Sequence, residues 1–447
     1  MTLRSGDMAV TGRPAAYDGA LYVLDTEHGP VSLAASAVTC EGACPSLPRI
    51  DLEGDPALVR VLMPALIEAF AARRGLSVSR EGDVYRLDDV LLIDLRPAGE
   101  DGAALDWGPP DPPGRIGLGP RRQVLALDAL VPVVSPRNAA EAVTEDDLAR
   151  LFAGEVADWS ELGSDPAPVS LHLLAGPVGR ALEDMLRARN LAPSDAIARH
   201  SDPAALARAV ASDPGAVGAT SAGGIGAARA LSLRGPCGIA SRPDDDAVRA
   251  GDWPLAIPLA ATLPAHPMPR LAADLALFAT SPEAQVVVRR AGFLDHAPRA
   301  VPLAEQGERL AAAILAADDA GALRAVVADL QGLTRLTTTF RFKAGAELDP
   351  PSQDATKRLA ADIASGVHDG RRLVFVGFGD GTGAPERTLS LSEERARAVL
   401  RTVRALAPPR HDGPVLSAVG HGSALPLACD DTATGRRLNR RVELWLR

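Results

Sequence analysis

The sequence predicts a multidomain α/β protein, with a small β module first, a large α/β region in the middle and a β-α-β-α-β-β unit last. Three observations carry that expectation. The chain has 447 residues, more than one hydrophobic core usually organises, so several units are expected. Apolar runs of strand length alternate with segments of helical spacing through most of it. Apolar residues make up 47% and charged residues 23%, ordinary values that give no sign of disorder throughout.

Residues 1–46 hold short runs of alternating apolar and polar positions, broken by turns such as His28-Gly29-Pro30, which predicts strands. From 47 to 300 the pattern changes. Positions 58–73 repeat at helical spacing, 90–95 and 123–134 read as buried strands, and helices are predicted at 145–152, 179–189, 203–212 and 269–280. Several of these open on Ser, Thr or Asp, whose oxygens accept from first-turn N–H groups. Pro109-Pro110-Asp111-Pro112-Pro113 reads as a stiff loop. Residues 301–333 are Ala-rich and charged and predict a helical linker. The last unit, 334–447, follows as strand 336–342, helix 352–365, strand 373–378, helix 390–406, strand 415–420 and strand 442–446.

The net charge of −10 is uneven, because 18 Lys/Arg face 13 Asp/Glu from Arg335 to Arg447, leaving −15 upstream. An acidic body argues against nucleic-acid binding, and a basic end suits an anionic polymer. Cys40 and Cys44 enclose so short a loop that a disulfide is expected in an oxidising compartment, two reduced thiols being the alternative. Whether Cys237 and Cys429 pair is left open. No second Cys or His pair completes a zinc site, and no Walker loop or dinucleotide fingerprint appears, so neither metal nor cofactor is expected. The nearest approach to a nucleophile elbow, Ala219-Thr220-Ser221-Ala222-Gly223, lacks its first glycine and has no spaced His and acid partners. No catalytic residue is therefore expected. No run of about 18 uncharged apolar residues predicts a transmembrane helix, and any export signal is expected either to have been removed or never to have existed.

Four motifs stand in order in the last unit: Val376-Gly377-Phe378-Gly379-Asp380-Gly381-Thr382-Gly383, Leu391-Ser392-Glu393-Glu394-Arg395-Ala396-Arg397-Ala398-Val399, Val419-Gly420-His421-Gly422 and Gly435-Arg436-Arg437-Leu438-Asn439-Arg440-Arg441-Val442-Glu443. Together they resemble the OmpA-like family over essentially all of 335–447. The resemblance implies a peptidoglycan partner, gripped at the diaminopimelate of its stem peptide by Asp380 and Arg395. A zwitterionic head offers an ammonium to the carboxylate and a carboxylate to the planar guanidinium. Asn439, Arg440 and Arg441 would lie near the same face. Departures from the family pattern are Thr388 in place of asparagine, Gly379 in place of threonine and Lys343 in place of aspartate, and they bear on affinity.

A second resemblance covers about 48–298. Val131-Pro132-Val133-Val134-Ser135-Pro136-Arg137-Asn138, Leu148-Ala149-Arg150-Leu151-Phe152-Ala153-Gly154-Glu155, Asp158-Trp159-Ser160-Glu161-Leu162-Gly163 and Thr280-Ser281-Pro282-Glu283-Ala284-Gln285 resemble periplasmic phosphate-binding proteins of the PstS type. The resemblance implies two α/β lobes that close over an anion, held by hydroxyls and helix-start N–H groups. Gly54-Asp55-Pro56-Ala57 replaces a Gly-Ser-x-Thr element, and Ala175-Gly176-Pro177-Val178-Gly179-Arg180 replaces a Gly-Ser-Gly-Thr element. A carboxylate repels phosphate and proline removes a donor, so orthophosphate binding is expected to be weak or absent. Arg96, Arg180, Ser135, Thr220 and Ser221 are left as candidates for another small anion or carboxylate. The expectation is a non-catalytic, peptidoglycan-associated periplasmic binding protein, with a transporter or envelope protein as a further partner. The alternatives are an oxyanion receptor for an ABC transporter and an unrecognised periplasmic hydrolase.

Overall fold

A computed structural model describes residues 1–17, 19–45, 47–98, 105–107, 121–264, 268–316, 320–343 and 347–447; the proline-rich loop at 109–113 lies outside them. Two units result, Met1–Leu127 with Pro258–His296, and Asp128–Ile257 with Ala297–Arg447.

The first unit opens on the expected strands. Thr2–Ser5 pairs with Met8–Thr11 and Thr39–Glu41, and Leu21–Thr26 pairs with Arg13–Tyr17 and Gly29–Ala34, giving two three-stranded sheets. Cys40 is bonded to Cys44. A seven-stranded mixed sheet follows, in which Leu91–Pro97 runs parallel to Arg49–Gly54. The helical run after it starts at Leu58–Leu62 as a π turn and continues as Met63–Arg74, ending on Gly75 in the left-handed conformation, the usual way to release a helix. Its inward positions Leu62, Leu66, Ile67 and Phe70 are buried.

The apolar run at 123–134 divides into two strands, Arg121–Ala129, a member of the seven-stranded sheet, and Val131–Val134 of the second unit; Trp253 Nε1 reaches the Leu130 carbonyl, at 3.1 Å. Val131–Val134 joins a five-stranded sheet with Ser170–Leu174, Ala216–Thr220, Ala198–His200 and Arg229–Ala230. Helices Glu145–Ala153, Pro177–Arg187 and Pro203–Ser212 accompany it. Thr144 and Asp202 cap the first and third of these, as their oxygens predict.

The C-terminal sheet has the order Ala300–Pro302, Thr334–Arg341, Arg441–Leu446, Arg372–Phe378, Val415–Gly420. The segment read as a linker thus supplies an edge strand as well as the helices Gly307–Ala316 and Ala320–Leu330. Along Arg372–Phe378 successive side chains alternate between faces. Leu373 and Phe375 meet Leu359, Ile363 and Val399, whereas Val374, Val376 and Phe378 meet Leu323, Val326 and Leu330. With both faces covered, the strand is apolar throughout rather than alternating. One further helix, Ala433–Asn439, stands before the last strand and is capped by Thr432.

The last strand carries charges into the core. Arg441 and Glu443 are fully buried; Glu443 accepts from Arg441 Nε at 2.7 Å, Trp445 Nε1 at 3.1 Å and the Arg309 guanidinium, and forms an ion pair with Arg335, whose Nε lies 3.3 Å away. Burial raises the Glu443 pKa, but Arg309, Arg335 and Arg441 outweigh it and hold the carboxyl well below its ordinary value. Arg335 and Arg341 also reach Asp252, at 2.8 and 2.7 Å. Asp252 follows helix Asp245–Ala250, so the network ties the sheet of residues 334–446 to the preceding α/β lobe. Cys237 and Cys429 are bonded across the same boundary, 192 residues apart in sequence.

Candidate functional site

The C-terminal site forms where the strands Arg372–Phe378 and Val415–Gly420 end beneath helix Pro385–Leu406. That helix crosses them over glycine. A Cβ on Gly377 would stand 2.0 Å from the Ser392 carbonyl oxygen, and one on Gly420 would stand 2.5 Å from the Glu393 nitrogen. Ser392, fully buried, accepts from the Gly422 N–H at 3.0 Å, and the Gly379 N–H donates to the Gly422 carbonyl at 2.7 Å. The turn bearing Asp380 is thereby fixed to the helix flank from which Arg395 projects, one turn beyond Ser392.

Asp380 is buried and its two oxygens are used separately. Oδ1 accepts from Thr382 Oγ1 at 2.8 Å, and Oδ2 accepts from Arg440 Nη1 at 3.1 Å. Arg395 lies over the Phe342 ring, 5.6 Å from its centroid, a cation–π arrangement. Burial, helped by the like charge of Arg440, lowers the Arg395 pKa, with Asp380 pulling the other way. Arg440 Nε is buried and has no hydrogen-bond partner among the described residues. One carboxylate and two guanidinium groups therefore converge at a half-buried rim.

Thr388 and Asn439 serve the fold around this rim. The Thr388 hydroxyl donates to the Ala384 carbonyl of its own helix at 3.3 Å, and a Cβ on Gly379 would stand 2.7 Å from Thr388 Cγ2. Glycine at 379 and threonine at 388 are thus sterically matched. Asn439 is fully buried and spends its amide on the loop before it, accepting from the Leu427 and Ala428 N–H groups and donating to the Ala428 carbonyl and Asp430 Oδ1. The expectation of Asn439 at the ligand face is corrected accordingly: its side chain is turned inward. Lys343 pairs with Glu347 at 3.1 Å on the surface.

The central candidates fall in two units. In the first, Gly54 closes strand Arg49–Gly54, and Asp55, 1% exposed, accepts from the Ala57 N–H at 2.8 Å. Its own carboxylate takes a donor at a helix start, where an anion would otherwise bind. Arg96 lies against Asp94 and Asp51, at 2.8 and 3.2 Å. In the second unit, Ser135 and Thr220 are fully buried and donate to the carbonyls of Ala211 and Gly224, at 3.1 and 3.3 Å. Ser221 precedes the short turn Ala222–Gly224, whose first N–H is taken at 2.9 Å by Asp128 Oδ1. Gly176, at φ +85°, and Arg180 open the helix Pro177–Arg187.

Sequence reasoning missed Asp430, Asp252 and Glu443 as organising residues, and left Cys237 and Cys429 unpaired. One signal was available: with Cys40 bonded to Cys44, those two are the remaining cysteines. No group of three or more metal-ligating side chains occurs among the described residues.

No family model matches the chain. Over its C-terminal region it is 29% identical across 128 residues to the peptidoglycan-associated lipoprotein of Pseudomonas aeruginosa, covering 28% of this chain and 71% of that one. Among solved structures, an ABC-type phosphate transport receptor from Vibrio cholerae aligns with 54% of this chain and 98% of its own, at 14% identity and a TM-score of 0.43. The peptidoglycan-associated lipoprotein from Burkholderia pseudomallei aligns with 24% of this chain and 89% of its own, at 24% identity and a TM-score of 0.22. This chain is thus similar in sequence, over its C-terminal region, to peptidoglycan-associated lipoprotein, and the four motifs that resemble the OmpA-like family lie in that region.

Proposed function

We propose that this protein is a non-catalytic, cell-wall-associated binding protein of the bacterial periplasm, whose C-terminal domain holds the diaminopimelate of peptidoglycan. The convergence of Asp380, Arg395 and Arg440 at one rim carries this reading. An amino-acid head group needs a carboxylate for its ammonium and a guanidinium for its carboxylate, and charge-assisted hydrogen bonds of this kind are roughly twice as strong as neutral ones. The basic balance of the C-terminal third favours the same anionic polymer. Two disulfides suit an oxidising compartment.

The central region acts as a scaffold or takes a small anion other than orthophosphate. Asp55 and Asp128 on helix-start N–H groups support that reading, since they repel an oxyanion from the donors it would need.

The test is sedimentation of the full chain with diaminopimelate-type peptidoglycan. Wild type is expected in the pellet, with Asp380→Ala and Arg395→Ala in the supernatant at an unchanged melting temperature. A soluble wild type would sink the reading and redirect the search to a protein partner.

A further inference from the structure

The segment between strand Val415–Gly420 and helix Ala433–Asn439 contains no regular helix or strand. Its position is set by side-chain and covalent ties, and these converge on Asp430. Oδ2 of Asp430 accepts from the Gly381 N–H at 2.6 Å, and Oδ1 accepts from Asn439 Nδ2 at 2.8 Å. Gly381 directly follows Asp380, and Asn439 directly precedes Arg440. One carboxylate thus holds both chain segments that bring the Asp380 and Arg440 side chains to 3.1 Å from each other. A Cβ on Gly381 would stand 2.9 Å from Asp430 Oδ2, so the closeness of this contact depends on glycine.

Asp430 is itself anchored from outside the C-terminal domain. Its neighbour Cys429 is buried and bonded to Cys237. The Cys237 N–H lies 3.1 Å from Cys429 Sγ, and a Cβ on Gly235 would stand 2.4 Å from that sulfur. Another on Gly435 would meet the Cys429 carbonyl at 1.8 Å. Glycines therefore flank Cys429 on the lobe side and on the helix side, leaving it little freedom to shift.

We propose that Asp430 is the positioning residue of the peptidoglycan site, and that the Cys237–Cys429 disulfide, by fixing Asp430, lets the adjoining α/β lobe set the affinity of that site. This rests on the reading that Asp380 and Arg395 hold diaminopimelate. The buried pairing of Asp252 with Arg335 and Arg341 keeps lobe and domain docked when the disulfide is absent, so the bond can be removed without releasing the two from each other.

The experiment measures the affinity of the full chain for a soluble diaminopimelate-containing muropeptide by calorimetry, with amide hydrogen exchange at Gly381 and thermal melting beside it. Asp430→Ala and the pair Cys237→Ser/Cys429→Ser should each weaken binding by about tenfold, the scale of one charge-assisted hydrogen bond, and speed exchange at Gly381. Asp430→Asn keeps an acceptor for the Gly381 N–H but turns its own amide toward the Asn439 amide, and should recover part of the affinity and the protection. Wild-type affinity in both the Ala and the Cys variants overturns the inference alone, as does an Asn variant no better than Ala. If Asp430→Ala does not fold, the Asn and Cys variants decide by the same criteria. A wild-type chain that binds no muropeptide overturns the underlying reading and this inference with it.

Discussion

In the central region Asp55 and Asp128 turn their carboxylates onto backbone N–H groups at helix starts, whereas in the C-terminal region Asp380 faces guanidinium groups at a half-buried rim. The residue type is the same and the outcome is opposite. A carboxylate on a helix-start N–H uses up the donor an anionic ligand would need. A carboxylate among cations keeps acceptor capacity toward an ammonium, because each oxygen has more than one lone pair. A binding site is therefore defined less by its residue types than by which of their hydrogen-bonding capacities the fold has already spent.

The largest separation between the regions is expected from Glu443→Gln. It leaves the buried cations Arg309, Arg335 and Arg441 without their carboxylate, a change that costs about 3–5 kcal/mol. Asp55→Asn, in the central region, disturbs a helix start and should cost about 1 kcal/mol. Chemical denaturation compares them, and equal losses would erase the contrast. The same carboxyl gives a pH signature. Its folded pKa is depressed, so its contribution is fully present above the unfolded value of about 4.3 and is lost as pH falls through the folded pKa. The gap in denaturation midpoint between wild type and Glu443→Gln should therefore hold from about pH 8 to about pH 5 and narrow below about pH 4.

Next in size is the loss of the long-range disulfide. Removing Cys237–Cys429, whose cysteines are 192 positions apart, should lower unfolding stability by about 3 kcal/mol, read from the denaturant midpoint. Removing the five-residue loop of Cys40–Cys44 should cost less, since closure entropy grows with loop length. Asp380→Ala comes third. It should weaken muropeptide binding by about 2 kcal/mol, roughly 30-fold, with little change in melting temperature. The smallest effect belongs to orthophosphate. A receptor with a micromolar Kd would gain about 4 kcal/mol of stability at millimolar phosphate, whereas this chain should show a rise in Tm near zero. A rise of several degrees would mean that the donors beside Asp55 and Asp128 remain open to an anion.

Much of the architecture could be read from residue order. Thr144, Asp202, Ser281 and Asp349 each cap a helix, and all of them sit where an oxygen-bearing side chain precedes an apolar period. The glycines at 377 and 420 and the pair Asp380 and Arg395 were likewise visible as a spaced set. Other features left no local trace. The split at Leu130 is hidden because both flanking strands are apolar. Strand Ala300–Pro302 is too short, and ends in a proline, to show alternation. Arg441-Val442-Glu443-Leu444 reads as a strand with one wet face, yet all four residues are buried, because helices distant in sequence cover that face, and Arg309 from one of them and Arg335 from the paired strand bring guanidinium groups to Glu443. The inward turn of Asn439 was hidden for the same reason, since its partners belong to a loop whose path is set by Cys237.

The bond between Cys237 and Cys429 also has a mechanical meaning. When the chain is pulled between its N-terminus and its C-terminus, tension entering at the C-terminus reaches Cys429 and crosses directly to Cys237. The segment between them carries none of the load. Under stretching in an optical trap, the oxidised chain should therefore lengthen by roughly 650 Å less than the reduced one, at about 3.4 Å for each shielded residue. Asp380 and Arg395 both lie within this shielded segment, so their site keeps its fold while the two ends of the chain are loaded.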